Sequence, residues 1–158
     1  MNLSIRLHHL AGLIVAGLIV LDSCAPVDSL ATQTAQPTDG SSDVAALLDK
    51  TWRLQAMLVG GEDVALDAAV SSTIRFASDG TYSGNGGCNS YGGQYSVDRS
   101  GSIRLGQATA TLMACPAGME QEGAFFAALE NVSVFQVDAN GLQLSSTDGK
   151  TVLTLLPG

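Results

Sequence analysis

Histidine is missing from almost the whole chain: the two that occur, His8 and His9, lie within the first ten residues, and none follows. Without an imidazole, the rest of the chain cannot assemble a Ser-His-Asp triad, a Cys-His pair or a histidine-bearing metal site. Basic residues are scarce as well. Seven Lys and Arg stand against fifteen Asp and Glu, a formal charge of −8, and they form no cluster. A chain of that sign repels phosphate backbones, which excludes nucleic acid as a partner. Aromatic side chains are few, with Trp52 the single tryptophan beside three tyrosines and four phenylalanines. Most of these are needed for a core, so the carboxylates of Glu62, Asp63, Asp67, Asp79, Glu120 and Glu122 have no aromatic platform on which to work as a glycosidase pair. No Asp-x-Asp-x-Asp-Gly calcium loop occurs, and a Ser-Lys nucleophile would have to use the linker-proximal Lys50 or Lys150, which lies beside a predicted hairpin tip and is expected as a solvated charge. These absences leave no catalytic residue, no metal and no cofactor to expect, and the chain is read as a non-enzyme.

What the chain has in quantity is glycine, and five of its eighteen fall in Gly84-Asn85-Gly86-Gly87-Cys88-Asn89-Ser90-Tyr91-Gly92-Gly93. Glycine in a strand context marks a bulge, a corner or a close approach of another backbone. The stretch reads as a corner between two strands, and if a ligand site existed, Asn89 and Tyr91 would form its rim. Around the corner, alternation predicts Thr51–Leu58 with Trp52 buried, a strand at Ile74 and Phe76, the hairpin signal Asp79-Gly80 leading to Thr81–Ser83, then Tyr95 with Val97, Ile103 with Leu105, and a weaker strand over Gln107–Leu112. Glu62–Val70 is ambiguous. Pro116 suits a first helical turn, Glu120 and Glu122 suit the positive end of a helix dipole, and Met119, Gly123, Phe126 and Leu129 recur at helical spacing, so one helix is predicted over Ala117–Glu130. Three more strands, Ser133–Asp138, Leu142–Ser145 and Lys150–Leu156, are separated by Asn140-Gly141 and Asp148-Gly149. The sum is a mainly β chain: a small antiparallel β-barrel-like domain of about eight short strands with one helix packed against it.

The first residues are of another kind. Arg6 precedes an apolar run from Leu10 to Leu21, shorter than the roughly 20 residues a spanning helix needs, and the run reads as the core of a signal peptide over residues 1–23. Leu21-Asp22-Ser23-Cys24 resembles the lipobox of bacterial lipoproteins, although Asp22 departs from its usual small or apolar residue. That resemblance implies acylation of Cys24 and a membrane partner held through a lipid anchor. Ala25 lacks the aspartate that resembles an inner-membrane retention signal, which points to the outer membrane facing the periplasm, with plain secretion as the alternative. Residues 24–47, rich in Ala, Thr, Ser, Gln and Pro, are expected to be a flexible linker because they offer little to bury. As a coil, ~20 such residues span about 25 Å.

With Cys24 consumed by lipid, Cys88 and Cys115 remain as an even pair in an oxidising compartment, and a disulfide between them is expected. Two close buried thiols, or a metal site completed by carboxylates, are the alternatives.

The order of features, Trp52 on a first strand, then Gly87-Cys88-Asn89 with Tyr91 and Gly93, then Met113-Ala114-Cys115-Pro116 with Met119, Glu122 and Phe126, resembles the META domain family, which includes the HslJ-like envelope lipoproteins. The resemblance covers about Asp49 to Leu156, within a domain drawn over residues 48–158. It implies a barrel-like fold with one helix in secreted or lipid-anchored proteins linked to envelope stress, and it supplies no catalytic residues. The expected function is binding of a protein or other envelope component in a stress-response or maintenance role. A small-molecule carrier barrel and an inhibitor of a secreted protease are the alternatives.

Overall fold

A change of residue parity shapes the first strand. In the computed structural model, which describes residues 40–158, β1 is Thr51–Val59 and buries Trp52 and Leu54, then Met57. The switch from even to odd positions coincides with a slip in the pairing register between Leu54 and Ala56. One extra residue in a strand hands the following side chains to the opposite face. The expected signal peptide 1–23, the lipidation at Cys24 and the linker up to residue 39 lie outside the described residues.

The linker was expected to reach residue 47, but Gly40–Leu47 is a helix, α1. Its Leu47 is fully buried, Val44 and Leu48 pack against the core, and the Trp52 indole Nε1 donates to the Leu47 carbonyl at 3.0 Å. Val44, Leu47 and Leu48 have the three- and four-residue spacing of one helical face, a signal masked by the polar composition before them. The domain therefore begins upstream of residue 48.

After β1 come β2, Glu62–Asp63, which folds back on β1, then β3, Thr73–Phe76, and β4, Thr81–Asn85. Most of the ambiguous Glu62–Val70 segment is loop. The corner leads into β5, Ser90–Val97, then β6, Ile103–Leu105, and the two-residue β7, Thr109–Ala110, which is all that forms of the weaker strand predicted over Gln107–Leu112. Helix α2 is Met119–Asn131, followed by β8, Val134–Asp138, β9, Gly141–Ser145, and β10, Val152–Pro157.

Eight strands follow the order β6-β5-β4-β3-β1-β10-β9-β8, antiparallel throughout, with β2 on β1 and β7 on β5 beside that path. The two ends of this sheet meet. Ser102 bridges Val134, Ile103 N–H donates to the Ser133 carbonyl at 3.0 Å, and Phe135 N–H donates to Gly101 at 2.9 Å. Those bonds all but close the sheet into a barrel, which removes exposed edges. Trp52, Phe76, Leu142, Leu144, Leu153 and Leu155 fill its interior together with Phe125 of α2.

Helix α2 starts two residues later than expected, because Gly118, at φ 88°, precedes it in a left-handed conformation, and Pro116 lies outside it. Its buried face is also rotated. Gln121, Glu122, Phe125, Ala128 and Leu129 point inward, whereas Met119 and Gly123 of the expected apolar stripe are exposed. Apolar spacing misjudged the face because this helix buries two polar side chains.

Candidate functional site

The polar face of α2 meets the corner between β4 and β5. At Gly86 the chain passes so close to the helix that a Cβ would lie 2.7 Å from Phe126 Cζ and 2.9 Å from Glu122 Oε2. Only glycine permits that approach. The corner presents its backbone N–H groups to the helix, and the Glu122 carboxylate takes them up: Oε2 accepts from Cys88 N–H at 2.9 Å and from Asn89 N–H at 2.6 Å, and Oε1 accepts from Asn89 Nδ2 at 2.7 Å. Glu122 is only 5% exposed. Burial alone would raise its carboxyl pKa, but the bonds from Asn89 and Cys88 outweigh it and hold the value below the usual 4.5. The carboxylate read from sequence as a helix-dipole charge or a candidate acid is a structural anion.

Gln121 performs the same service for the neighbouring loop. Its Oε1 accepts from Asp67 N–H at 2.8 Å and its Nε2 donates to Ser72 Oγ at 2.9 Å, while Ser72 Oγ donates to the Gly86 carbonyl at 2.7 Å. Among the described residues no buried side-chain N or O lacks a partner. A network satisfied throughout makes the corner rigid. The run Glu120-Gln121-Glu122, more than thirty residues beyond the Gly-Cys-Asn motif, was the only sequence signal for it.

Asn89 also reaches outward, to the segment before α2. Its Oδ1 accepts from Met113 N–H at 2.7 Å and from Thr111 Oγ1 at 2.8 Å, and its Nδ2 donates to the Met113 carbonyl at 3.3 Å. One side chain thus holds Glu122 on one side and the 111–113 backbone on the other. Two residues further on, Cys115 forms the expected disulfide with Cys88, Cα atoms 5.9 Å apart. Gly87 and Cys88 of the motif lie in the corner, Gly93 within β5, and Met113 and Ala114 on the held segment.

Asn89 and Tyr91, expected at a ligand rim, are interior residues. Each is 4% exposed. Asn89 has no free valence, and the Tyr91 hydroxyl donates to the Thr73 carbonyl at 2.9 Å while its ring packs edge-on against Phe125 and Phe126. Burial, helped by nearby Tyr82, pushes the Tyr91 hydroxyl well above its usual pKa. What faces water is apolar: Leu112 is 98% exposed, Met113 54% and Met119 47%. Among the described residues, no three His, Cys, Asp or Glu side chains converge as a metal site.

A recess of about 370 Å³ opens between α2 and the segment joining β6 to β7, walled by Tyr82, Leu105, Phe126 and Leu129 with Glu130 at its margin. The Tyr82 hydroxyl is occupied, donating to the Gly106 carbonyl at 2.8 Å.

A nearly closed antiparallel barrel, one helix against it, and a glycine corner tied to that helix by a carboxylate and to the preceding segment by a disulfide define the class of protein. The META domain family model matches residues 45–157, and the chain belongs to that family. Among solved structures, the NMR structure of a protein from Burkholderia xenovorans is similar at 26% identity and a TM-score of 0.61, covering 91% of this chain and 99% of that one. The crystal structure of a DUF4847 family protein from Bacteroides vulgatus, at 19% identity and TM-score 0.52, covers 71% of this chain and 94% of its own and shares the fold. No curated protein matches.

Proposed function

We propose that this META-domain chain is a non-enzymatic lipoprotein of the bacterial envelope, anchored through Cys24 to the outer membrane on its periplasmic side, that acts by binding another envelope or secreted protein in a stress-response or maintenance role. One observation carries the reading. The polar side chains of the family motif, Asn89 and Glu122, are spent on holding backbone, while the segment they hold turns Leu112 and Met113 to solvent. A site whose polar groups are all internally satisfied has no acid, base or nucleophile to offer a substrate, whereas a rigid apolar projection suits contact with a partner, since little entropy is left to lose on binding.

Anchoring is tested by Cys24→Ser, which removes the acylated atom. The variant should leave the membrane fraction of a bacterial envelope, and unchanged partitioning of the intact variant overturns the lipoprotein reading. Binding is tested by gentle purification of the full chain and native mass spectrometry. A bound protein is expected. The recess beside α2 favours a second reading, a small-molecule carrier, and a reproducible bound small mass would establish that one instead.

A further inference from the structure

We infer that the segment Thr111–Cys115 is a substrate-like inhibitory loop for serine endoproteases with an apolar specificity pocket, Leu112 being the residue that enters the pocket and Leu112–Met113 the bond presented to the enzyme. The inference rests on the binding reading above and names the partner's class.

Three features of the loop carry it. Residues Thr111 to Cys115 run without helix, turn or bend, and none of them has a positive φ, as a protease cleft requires of the chain it grips. At the centre, Leu112 is 98% exposed, an unbranched-Cβ apolar side chain with nothing of its own protein around it. With Met113 beside it 54% exposed, it offers apolar surface whose burial in a partner's pocket would be favourable. Both flanks are fixed from behind: Thr111 N–H donates to Ser90 of β5 at 3.0 Å, Asn89 grips Thr111 Oγ1 and both the N–H and the carbonyl of Met113, and Cys115 is covalently tied to Cys88. The supports reach Thr111, Met113 and Cys115, and none of these bonds involves the Leu112 side chain. A loop prearranged in its bound form loses little entropy on docking.

The same supports account for inhibition in place of digestion. The enzyme's serine oxygen adds to the Leu112 carbonyl carbon; its proton passes through the enzyme's histidine to the Met113 nitrogen as the C–N bond breaks, leaving a Leu112 ester on the enzyme and a free amine at Met113. In an ordinary peptide that amine departs and water hydrolyses the ester to a carboxylate. Here Asn89 and the Cys88–Cys115 bond keep the amine beside the ester, so its return re-forms the peptide bond and expels the serine faster than water completes hydrolysis. Leu at the entering position selects an apolar pocket and disfavours one that carries a carboxylate for Arg or Lys.

The test uses the full chain, purified in detergent, against subtilisin, chymotrypsin and trypsin, with a chromogenic peptide as the competing substrate. Inhibition of subtilisin or chymotrypsin with Ki below about 1 µM is expected, trypsin being unaffected, and prolonged incubation should yield a single slow cut between Leu112 and Met113. Leu112→Gly should weaken inhibition by roughly 100-fold, the scale of a central anchor residue. Leu112→Lys should transfer inhibition to trypsin, a gain that no folding defect can imitate. Absence of inhibition at about 100-fold higher concentration, rapid cleavage at several sites, or a folded Leu112→Lys chain that leaves trypsin active each overturns the inference. The binding reading survives that outcome if native mass spectrometry of the full chain shows a protein bound that is not a protease.

Discussion

Two kinds of connection join strands in this barrel, and they differ in how far along the chain their support comes from. At the hairpin turns an aspartate binds its own neighbours: Asp79 Oδ1 accepts from Thr81 N–H at 3.0 Å, Asp138 Oδ1 from Asn140 N–H at 2.7 Å, and Asp148 Oδ1 from Lys150 N–H at 3.1 Å. Each partner is two residues away. Bonds from Thr81, Ser100 and Ser146 correspondingly hold the carboxyls of Asp79, Asp98 and Asp148 below their usual pKa. At the corner between β4 and β5 the carboxylate comes from Glu122, 33 residues beyond Asn89. A turn of the first kind can form before the rest of the chain folds. The corner has local bonds too, Asn85 Oδ1 accepting from Gly87 N–H at 2.8 Å and the Asn89 carbonyl from Gly86 N–H at 2.8 Å, but the N–H groups of Cys88 and Asn89 find their acceptor only when α2 is against it.

Removing the remote carboxylate should therefore have the largest effect. Glu122→Ala strips the acceptor from two buried backbone N–H groups and from one bond of a side-chain amide, and a loss of about 3–5 kcal/mol is expected by denaturant titration, from unsatisfied buried donors at about 1–3 kcal/mol each. A loss below about 1 kcal/mol would show that water replaces the carboxylate and that the corner stands alone. The same bond carries a pH signature. The carboxyl of Glu122 is depressed in the folded state, so its stabilisation is present in full above the unfolded value near 4.5 and is lost as pH falls through the lower folded value. Acid unfolding followed by circular dichroism should accordingly be steeper in the parent than in Glu122→Gln, which has no proton to take up there. Parallel acid limbs would contradict that assignment.

Next in size is the covalent tie. Closing a loop of 27 residues between Cys88 and Cys115 restricts the unfolded chain by about 3.5 kcal/mol in the loop-entropy account. The Cys88→Ala/Cys115→Ala pair should lose about that much, and alkylation of the denatured parent without reductant should label neither thiol. Because Asn89 grips Met113 independently, the double variant should keep the corner folded while the 111–115 segment becomes easier to cleave, read by limited proteolysis.

These differences also mark what could be read from residues in order. The turns, eight strands, Trp52 in the interior and the pairing of two cysteines were all legible, because alternation, Asp-Gly dipeptides and an even thiol count are local or compositional signals. Misplaced were Asn89 and Tyr91, read as a rim because they sit among glycines, and half of the expected apolar stripe of α2: of Met119, Gly123, Phe126 and Leu129, Leu129 is buried and Phe126 packs against the core, but Met119 and Gly123 are exposed. Both errors have one cause. Glu122 is inside because the corner supplies donors for it, and Gln121 because Asp67 N–H and Ser72 of the neighbouring loop bond to it; these partners lie more than thirty residues away in sequence with no periodicity linking them to the helix. Helix α1 was missed for a milder reason: Val44, Leu47 and Leu48 follow a long polar stretch that dominated the reading.

The smallest expected effect sharpens the comparison, because one substitution can be made in both regions. At Gly149, in the β9–β10 turn, φ is 70° and a Cβ would meet nothing within 4 Å. Gly149→Ala then adds only the cost of a left-handed conformation with a side chain, about 1 kcal/mol. At Gly86 the new methyl would press on Phe126 and on the Glu122 carboxylate, so Gly86→Ala must push α2 away or break the bonds to Cys88 and Asn89. Overpacking of a filled site costs about 1–3 kcal/mol, and the lost hydrogen bonds add to it. Thermal unfolding of the two variants should rank Gly86→Ala well below Gly149→Ala. Equal melting points would mean that α2 gives way without resistance, and that the corner is held by its own turn as the hairpins are.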